Sequence, residues 1–162
     1  MYRTIGERVV SLSGRVPGNV AVFFPSYSIM NDVKDYFWGC PKPLLMEERS
    51  MSRRDKEKMI EDLFSAREKG GAILLAVMGG SLSEGVDYRD NLLSGVMVVG
   101  LPFAPPSLEV QSLRSYFRTK FGYNLGEEYS YIYPAMNKIL QAAGRSIRSE
   151  SDRSVIVLMD ER

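Results

Sequence analysis

The sequence contains no histidine among its 162 residues, and it has one cysteine, Cys40. The absence of histidine excludes histidine acid–base catalysis, histidine-activated nucleophiles and histidine metal ligands together. One cysteine cannot form an internal disulfide or supply the roughly four ligands of a zinc or iron–sulfur site. We therefore expect no metal on this chain, chemistry based on arginine, carboxylates or backbone, and a reduced intracellular setting, cytoplasmic or, in a eukaryote, nuclear.

Long apolar runs and a strong charge of either sign are also missing. No run approaches the roughly 18 residues of a membrane span, and no targeting segment begins the chain, so we expect no membrane partner. The formal net charge is +1, so any nucleic-acid site has to be a local patch. The length predicts one domain over residues 1–162.

Short apolar segments alternate with helical patterns along the chain. The strand candidates are apolar runs typical of buried parallel strands, at residues 20–24, 44–46, 72–77, 94–101 and 155–159. Serines at 26 or 28, 52 and 107 are placed to cap the helices, and the charged stretch 47–58 is expected to be a solvated face. The alternation predicts an α/β fold of three layers, with a mainly parallel sheet and helices on both faces.

The segment 141–148, QAAGRSIR, carries the strongest chemical pattern. At 100° per residue, Gln141, Arg145 and Arg148 fall on one stripe of a helix. The residues expected to anchor the opposite side are Met136, Ile139, Leu140, Ala143 and Ile147. Two forked guanidinium groups beside an amide suit a phosphate better than lysines would, which favours a phosphate-sensing helix. The alternative is an amphipathic helix with a solvated polar face.

A glycine-rich loop, GGSLSEGVDY at residues 79–88, follows the third strand candidate. Its glycines let the backbone approach a ligand closely, and its serines supply hydroxyls. Glu84 and Asp87 can accept hydrogen bonds from sugar hydroxyls or from the arginines of the 141–148 segment. An ordinary connection between a strand and a helix is the alternative interpretation.

Two other strand ends carry candidate features. The turn Pro25-Ser26-Tyr27 leads into a helix whose first N–H groups can bind a phosphate, although an ordinary βα loop has the same pattern. The helix that begins after Ser107 interleaves aromatic and basic residues, which can bind single-stranded nucleic acid or belong to the core. Because ligands gather at the carboxyl ends of parallel strands, we expect these features and the glycine loop to line one sheet edge.

Residues 22–27, 79–88 and 141–148 resemble motifs IV, V and VI of superfamily 2 helicases in order and spacing. The glycine loop has the form G-G-x-x-S-E-G-[IV]-D-[FY], and a closing strand with Asp160-Glu161-Arg162 follows. Nearly the whole chain is similar to the second, RecA-like motor domain of the XPD family of DNA helicases, although Ser81 stands where this family often carries lysine or another longer residue. The resemblance implies a longer ATP-dependent helicase, moving 5′ to 3′ on single-stranded DNA, in DNA repair or, in some members, transcription.

The same resemblance assigns roles to individual residues. Arg148 and Arg145 would neutralise charge as the γ-phosphate of ATP leaves, and Gln141 would hold the arginine or the phosphate. The residues implied to contact nucleotide are Gly85 and Asp87. Those implied to contact DNA are Ser26, Tyr27, Ser83 and Glu84.

Several parts of such an enzyme are not in this sequence, which has neither a G-x-x-x-x-G-K-[ST] phosphate loop nor a D-E-A-H box. By the resemblance, ATP and Mg²⁺ would be bound mainly by the first motor domain, and an iron–sulfur cluster would belong to the full protein but not to this chain. The chain would then be a fragment of a longer helicase and inactive alone. A non-catalytic nucleic-acid-binding scaffold stays open. A small-molecule enzyme with a Rossmann-like sheet would want a glycine-rich loop in place of Phe24-Pro25-Ser26.

Overall fold

The computed structural model describes residues 1–147 and 149–160. Its centre is a five-stranded sheet in which all neighbouring strands are parallel. The strands are β1 (Asn19–Phe24), β2 (Leu44–Met46), β3 (Ile73–Val77), β4 (Leu93–Val99) and β5 (Val155–Met159). Their order across the sheet is β2-β3-β1-β4-β5. The predicted strands and their parallel arrangement are confirmed. The expected burial is wrong for the two edge strands, because no residue of β2 or β5 is buried.

Helices connect these strands as the alternation predicts. They are α1 (Tyr2–Ser13), α2 (Tyr27–Lys34), α3 (Arg53–Arg67), α4 (Ser81–Glu84), α5 (Leu108–Phe121), α6 (Tyr123–Glu127) and α7 (Tyr133–Ala143). A π-helical turn, Glu128–Ile132, joins α6 to α7, and a 3₁₀ turn, Gly144–Ser146, follows α7. Serine side chains cap α2, α3 and α5, as expected from Ser26, Ser52 and Ser107.

The sheet is covered on both faces, because successive side chains of a strand point to opposite sides. Phe23 of β1 lies in a core with Leu63 of α3 and Ile139 of α7, while its neighbour Phe24 lies in a second core with Met30 of α2 and residues of α1. Every residue of β1 and β3 is buried. The predicted three-layer α/β architecture is therefore confirmed.

One buried amide holds the amino ends of the central strands together. Asn19, the first residue of β1, is fully buried. Its Nδ2 donates to the carbonyl oxygens of Leu63 at 2.8 Å and Leu92 at 3.0 Å, and its Oδ1 accepts from the Ala72 N–H at 2.8 Å. A single side chain thus connects β1 to α3 and to the segments entering β3 and β4.

The predicted helix over 141–148 is wrong beyond its first residues. Helix α7 ends at Ala143, Gly144–Ser146 form the 3₁₀ turn, and Ile147 is extended. The low helix propensity of Gly144 favours an ending there. Arg145 therefore leaves the α-helical register on which the polar stripe was built, and Arg148 lies outside the described residues.

The buried face of α7 also differs from the expected one. The buried residues of the helix are Ala135, Ile139 and Ala142. Of the expected anchors, Met136, Leu140 and Ile147 are instead 39%, 64% and 46% exposed. The small alanine side chains let α7 lie close against the sheet, where Ala142 and Ile139 share a core with residues of β4. The helix is thus rotated relative to the sequence-based prediction.

Helices α5 and α6 and the π-helical turn form a layer of their own. No residue of α5, which is described throughout, is buried, and Tyr116 is 56% exposed. Rings instead stack on each other, with centroids 5.9 Å apart between Phe117 and Tyr129. The Glu127 carboxylate of α6 accepts hydrogen bonds from the guanidinium groups of both Arg114 and Arg118 of α5. Of the two interpretations of the α5 aromatics, the one that places them in the core is therefore wrong.

Candidate functional site

The carboxyl ends of β2, β3 and β1 lie side by side and carry the candidate site. Met46 of β2 pairs with Leu75 of β3, and Val77 of β3 pairs with Phe24 of β1. The turn after β1 and the glycine loop after β3 therefore leave the sheet at one edge. The segment leading to Ser107 leaves from β4 on the other side of β1. The predicted meeting of these features at one sheet edge is confirmed.

The glycine loop begins with a turn that only a glycine adopts easily. Gly79 has φ +78°, in the left-handed region, and the Gly80 N–H donates back to the Val77 carbonyl at 2.8 Å. The chain then forms the short helix α4. Tyr88 closes the loop by donating its hydroxyl to the Leu82 carbonyl at 2.8 Å. Burial raises the pKa of Tyr88, so the hydroxyl keeps its proton and remains a donor.

The predicted ligand contacts of the loop divide into buried and exposed groups. Ser83 is 2% exposed, and its hydroxyl donates to the Gly80 carbonyl at 3.0 Å. Glu84, Gly85 and Asp87 are exposed. Asp87 accepts from Arg89 at 2.5 Å. Glu84, Gly85 and Asp87 are therefore accessible from solvent, whereas the Ser83 hydroxyl stabilises the loop itself.

Glu47 is a site residue that the sequence did not reveal. It directly follows β2 and begins the charged stretch expected to be solvated, yet it is 2% exposed. Its Oε2 accepts from the Val77 N–H at 2.8 Å, and its Oε1 accepts from the Ser81 hydroxyl at 3.0 Å and the Leu82 N–H at 3.1 Å. The solvated interpretation is wrong for this residue. Its position at the end of a strand was the available signal.

The turn after β1 places its two predicted DNA contacts differently. The Ser26 hydroxyl caps α2 by accepting from the Ile29 N–H at 3.3 Å, which leaves backbone groups of the first turn for a ligand. The Tyr27 ring lies under the Arg49 guanidinium, whose central carbon is 5.3 Å from the ring centroid. Burial, and then the Glu47 carboxylate, raise the pKa of the Tyr27 hydroxyl. Tyr27 thus lies between an exposed cation and a buried anion.

Arg145 joins the 141–148 segment to the glycine loop. Its Nη1 donates to the Val86 carbonyl at 3.0 Å across 59 residues of sequence. Its Nε is buried and has no hydrogen-bond partner among the described residues. Gln141 is exposed in the last turn of α7. The structure thus brings Arg145 to the loop.

The described residues also bear on metals and membranes. Within residues 1–147 and 149–160, no group of three or more acidic or cysteine side chains is placed to hold a metal ion. In the same part of the chain, no helix is both long and apolar enough to cross a membrane.

Comparisons with known proteins agree with this geometry. The chain matches the family described as the helicase C-terminal domain over residues 9–162. ATP-dependent DNA helicase CHL1 of Candida albicans is 35% identical over 98% of this chain and 21% of its own length. ATP-dependent DNA helicase XPD of Sulfolobus acidocaldarius is 32% identical over all of this chain and 28% of its own length.

A solved XPD helicase structure superposes with a TM-score of 0.75 and 32% identity, covering 99% of this chain and 28% of that one. This superposition confirms the RecA-like α/β fold. The chain spans 21% to 28% of the length of these relatives.

Proposed function

The chain belongs to the helicase C-terminal domain family, and we propose that residues 1–162 are the second motor domain of a longer, ATP-dependent, 5′-to-3′ DNA helicase of DNA repair. The observation that carries the proposal is the hydrogen bond from Arg145 to Val86. It joins the two segments that resemble motifs V and VI at the sheet edge where α/β folds bind ligands. The relatives named as ATP-dependent DNA helicases support the same activity.

In this proposal the chain completes a nucleotide site that the first motor domain begins. That domain would bind ATP and Mg²⁺, and the metal ion would neutralise part of the phosphate charge. Arg148 and Arg145 would stabilise the charge that develops on the transferred phosphate, and Gln141 would orient the arginine or the phosphate. Gly85 and Asp87, both exposed, would contact the nucleotide. An iron–sulfur cluster would be held elsewhere in the full protein.

Single-stranded DNA would cross the carboxyl ends of β1 and β3. Backbone groups at Ser26 and Tyr27, in the first turn of α2, would bind its phosphates. The loop at Ser83 and Glu84 would lie beside the same strand, and the entry to the helix after Ser107 would extend the path. The glycine loop would also contact the nucleotide through Gly85 and Asp87. A change in the state of the nucleotide would therefore be transmitted through the loop to the DNA.

Adding the first motor domain tests the enzymatic part of this proposal. We expect the purified chain alone to show no ATP turnover, because it carries no phosphate loop to hold the triphosphate. Titration with the separately expressed first motor domain should restore DNA-stimulated ATP hydrolysis, measured as phosphate release. A chain that binds DNA but never restores hydrolysis would instead be a non-catalytic nucleic-acid-binding scaffold. Turnover by the chain alone, surviving removal of contaminating enzymes, would refute the division of labour.

The isolated chain should bind single-stranded DNA weakly. Its formal net charge is only +1, and backbone and hydroxyl contacts release few counterions, so we expect dissociation constants no better than roughly 10⁻⁴ to 10⁻⁶ M. Affinity for a fluorescent oligothymidine, followed by anisotropy at several salt concentrations, should fall as salt rises. Sub-micromolar binding at physiological salt would show that the chain holds a complete DNA site.

A further inference from the structure

Glu47 is a buried carboxylate that the proposed mechanism does not use. Taking a carboxylate out of water is unfavourable unless donors replace the lost hydration. Among the described residues no lysine or arginine forms an ion pair with it. Two backbone N–H groups and one hydroxyl satisfy it instead. These three bonds hold the carboxylate against the start of the glycine loop, and the Tyr27 hydroxyl also interacts with it.

All three donors belong to the start of the glycine loop. Val77 is the last residue of β3, and Ser81 and Leu82 form the first turn of α4. The two oxygens of Glu47 consequently hold the residues on either side of the Gly79-Gly80 turn at a fixed separation. The loop then continues through Ser83 and Glu84, so these bonds tie its start to the end of β2.

Gly80 is matched to the carboxylate. A Cβ built on Gly80 would lie 2.7 Å from both Glu47 oxygens and 2.8 Å from the Val77 carbonyl oxygen. Such distances are well inside van der Waals contact, so a side chain at this position would displace the carboxylate or the turn. The position of the Glu47 carboxylate therefore requires a residue without a side chain at position 80.

The same carboxylate also neighbours the turn after β1. It contributes, after burial, to the raised pKa of the Tyr27 hydroxyl, which requires the two groups to be close. Tyr27 and the 83–84 segment are the proposed DNA contacts on either side of it. Glu47 thus lies next to both proposed DNA-contact segments and is itself buried.

We propose that Glu47 is a positioning residue that holds the glycine loop in the conformation with which this chain contacts single-stranded DNA. The proposal rests on the proposed function, since it presumes that the loop binds DNA. It predicts an effect opposite to that of simple electrostatics. Removing a negative charge near a DNA site should strengthen binding, whereas releasing the loop should weaken it.

The test compares Glu47→Gln with Glu48→Gln, which removes the same charge from the adjacent, exposed residue. In Glu47→Gln the amide NH₂ must face one of the N–H donors, so either Val77 or Leu82 loses its acceptor. Titration of the labelled chain with oligothymidine at low salt, followed by NMR, should give at least fivefold weaker binding for Glu47→Gln. Glu48→Gln should bind as tightly as the wild type or slightly more tightly.

Amide hydrogen exchange supplies a second readout that does not depend on DNA. Exchange at Val77 or Leu82 should accelerate at least tenfold in Glu47→Gln and stay unchanged in Glu48→Gln. Should Glu47→Gln fail to fold, Glu47→Asp keeps the charge but is one methylene too short to reach both sides of the turn. It should show the same losses to a smaller extent.

The outcomes separate this inference from the proposed function. Glu47→Gln binding DNA as tightly as Glu48→Gln would overturn the inference, and so would a lower melting temperature with unchanged affinity of the folded fraction. A wild-type chain that does not bind DNA at all would refute the DNA part of the proposed function. In that case amide exchange at Val77 and Leu82 would test the loop-holding role of Glu47 by itself. Unchanged protection in Glu47→Gln would overturn that role, and lost protection would support it.

Discussion

Replacing Arg148 by alanine, in a polypeptide that also contains the first motor domain, should lower ATP turnover by about 10³- to 10⁵-fold, the range for arginine fingers in phosphoryl transfer. ATP binding should change little, because the first domain would supply most of the triphosphate contacts. The expectation rests on the Q-x-x-G-R-x-x-R pattern and on guanidinium chemistry, since Arg148 lies outside the described residues. Arg148→Lys should rescue little, because an ammonium cannot reproduce the planar fork.

Two further arginine variants sharpen this test. Arg153→Ala removes an exposed guanidinium five positions away and should leave turnover unchanged. Arg145→Ala also removes the hydrogen bond to Val86, so it should disturb the glycine loop and weaken DNA binding together with turnover. The assignment of Arg148 fails if its alanine variant melts many degrees lower while the folded fraction turns over normally. The residue would then be part of a structural ion pair.

The sequence predicts the sheet and the position of the site because both depend on local patterns. Each strand is a short apolar run, and a proline, a glycine or a charged residue follows within two positions of its end. Parallel strands bring all such ends to one edge, so the meeting of the turn after β1 with the 79–88 loop follows from strand identity alone. The cap serines at 26, 52 and 107 are equally local signals.

Glu47 and the 141–148 segment escape prediction because their surroundings are distant in sequence. Glu47 begins a charged stretch that is typical of a solvated face, and its three donors lie 30 to 35 residues further along the chain. The helical stripe through Arg145 assumed a regular helix, but Gly144 ends α7 and tertiary contact with Val86 sets the side chain's direction. In both cases the site depends on hydrogen bonds between residues that are distant in sequence, which the spacing of apolar residues does not predict.

Helix α5 differs from one of its two sequence-based interpretations, the core helix. Its mixture of aromatic and basic residues is compatible with a core helix, yet none of its residues is buried. Its rings contact the π-helical turn and its guanidinium groups bind Glu127, so the layer is stabilised by its own contacts rather than by the sheet. Composition alone does not distinguish these two environments.

Asn19→Ala should produce the largest loss of stability among the substitutions considered, about 3 to 5 kcal/mol in the free energy of unfolding. The physical reason is that three buried backbone groups lose their partners at once, each at a cost of about 1 to 3 kcal/mol. These groups are the Leu63 and Leu92 carbonyls and the Ala72 N–H. Urea unfolding followed by circular dichroism measures the change, with an unaltered slope against denaturant as the check that the transition stays two-state.

Asn31→Ala is the matched control, because it removes the same side chain from an exposed position in α2. It should change the unfolding free energy by no more than about 0.5 kcal/mol. Asn19 lies at the amino end of β1, whereas the proposed site lies at the carboxyl ends of the strands. The folded fraction of Asn19→Ala should therefore bind DNA as the wild type does. A loss below about 1 kcal/mol would mean that the three groups find other partners, and weakened DNA binding by folded protein would mean that the sheet transmits the change to the site.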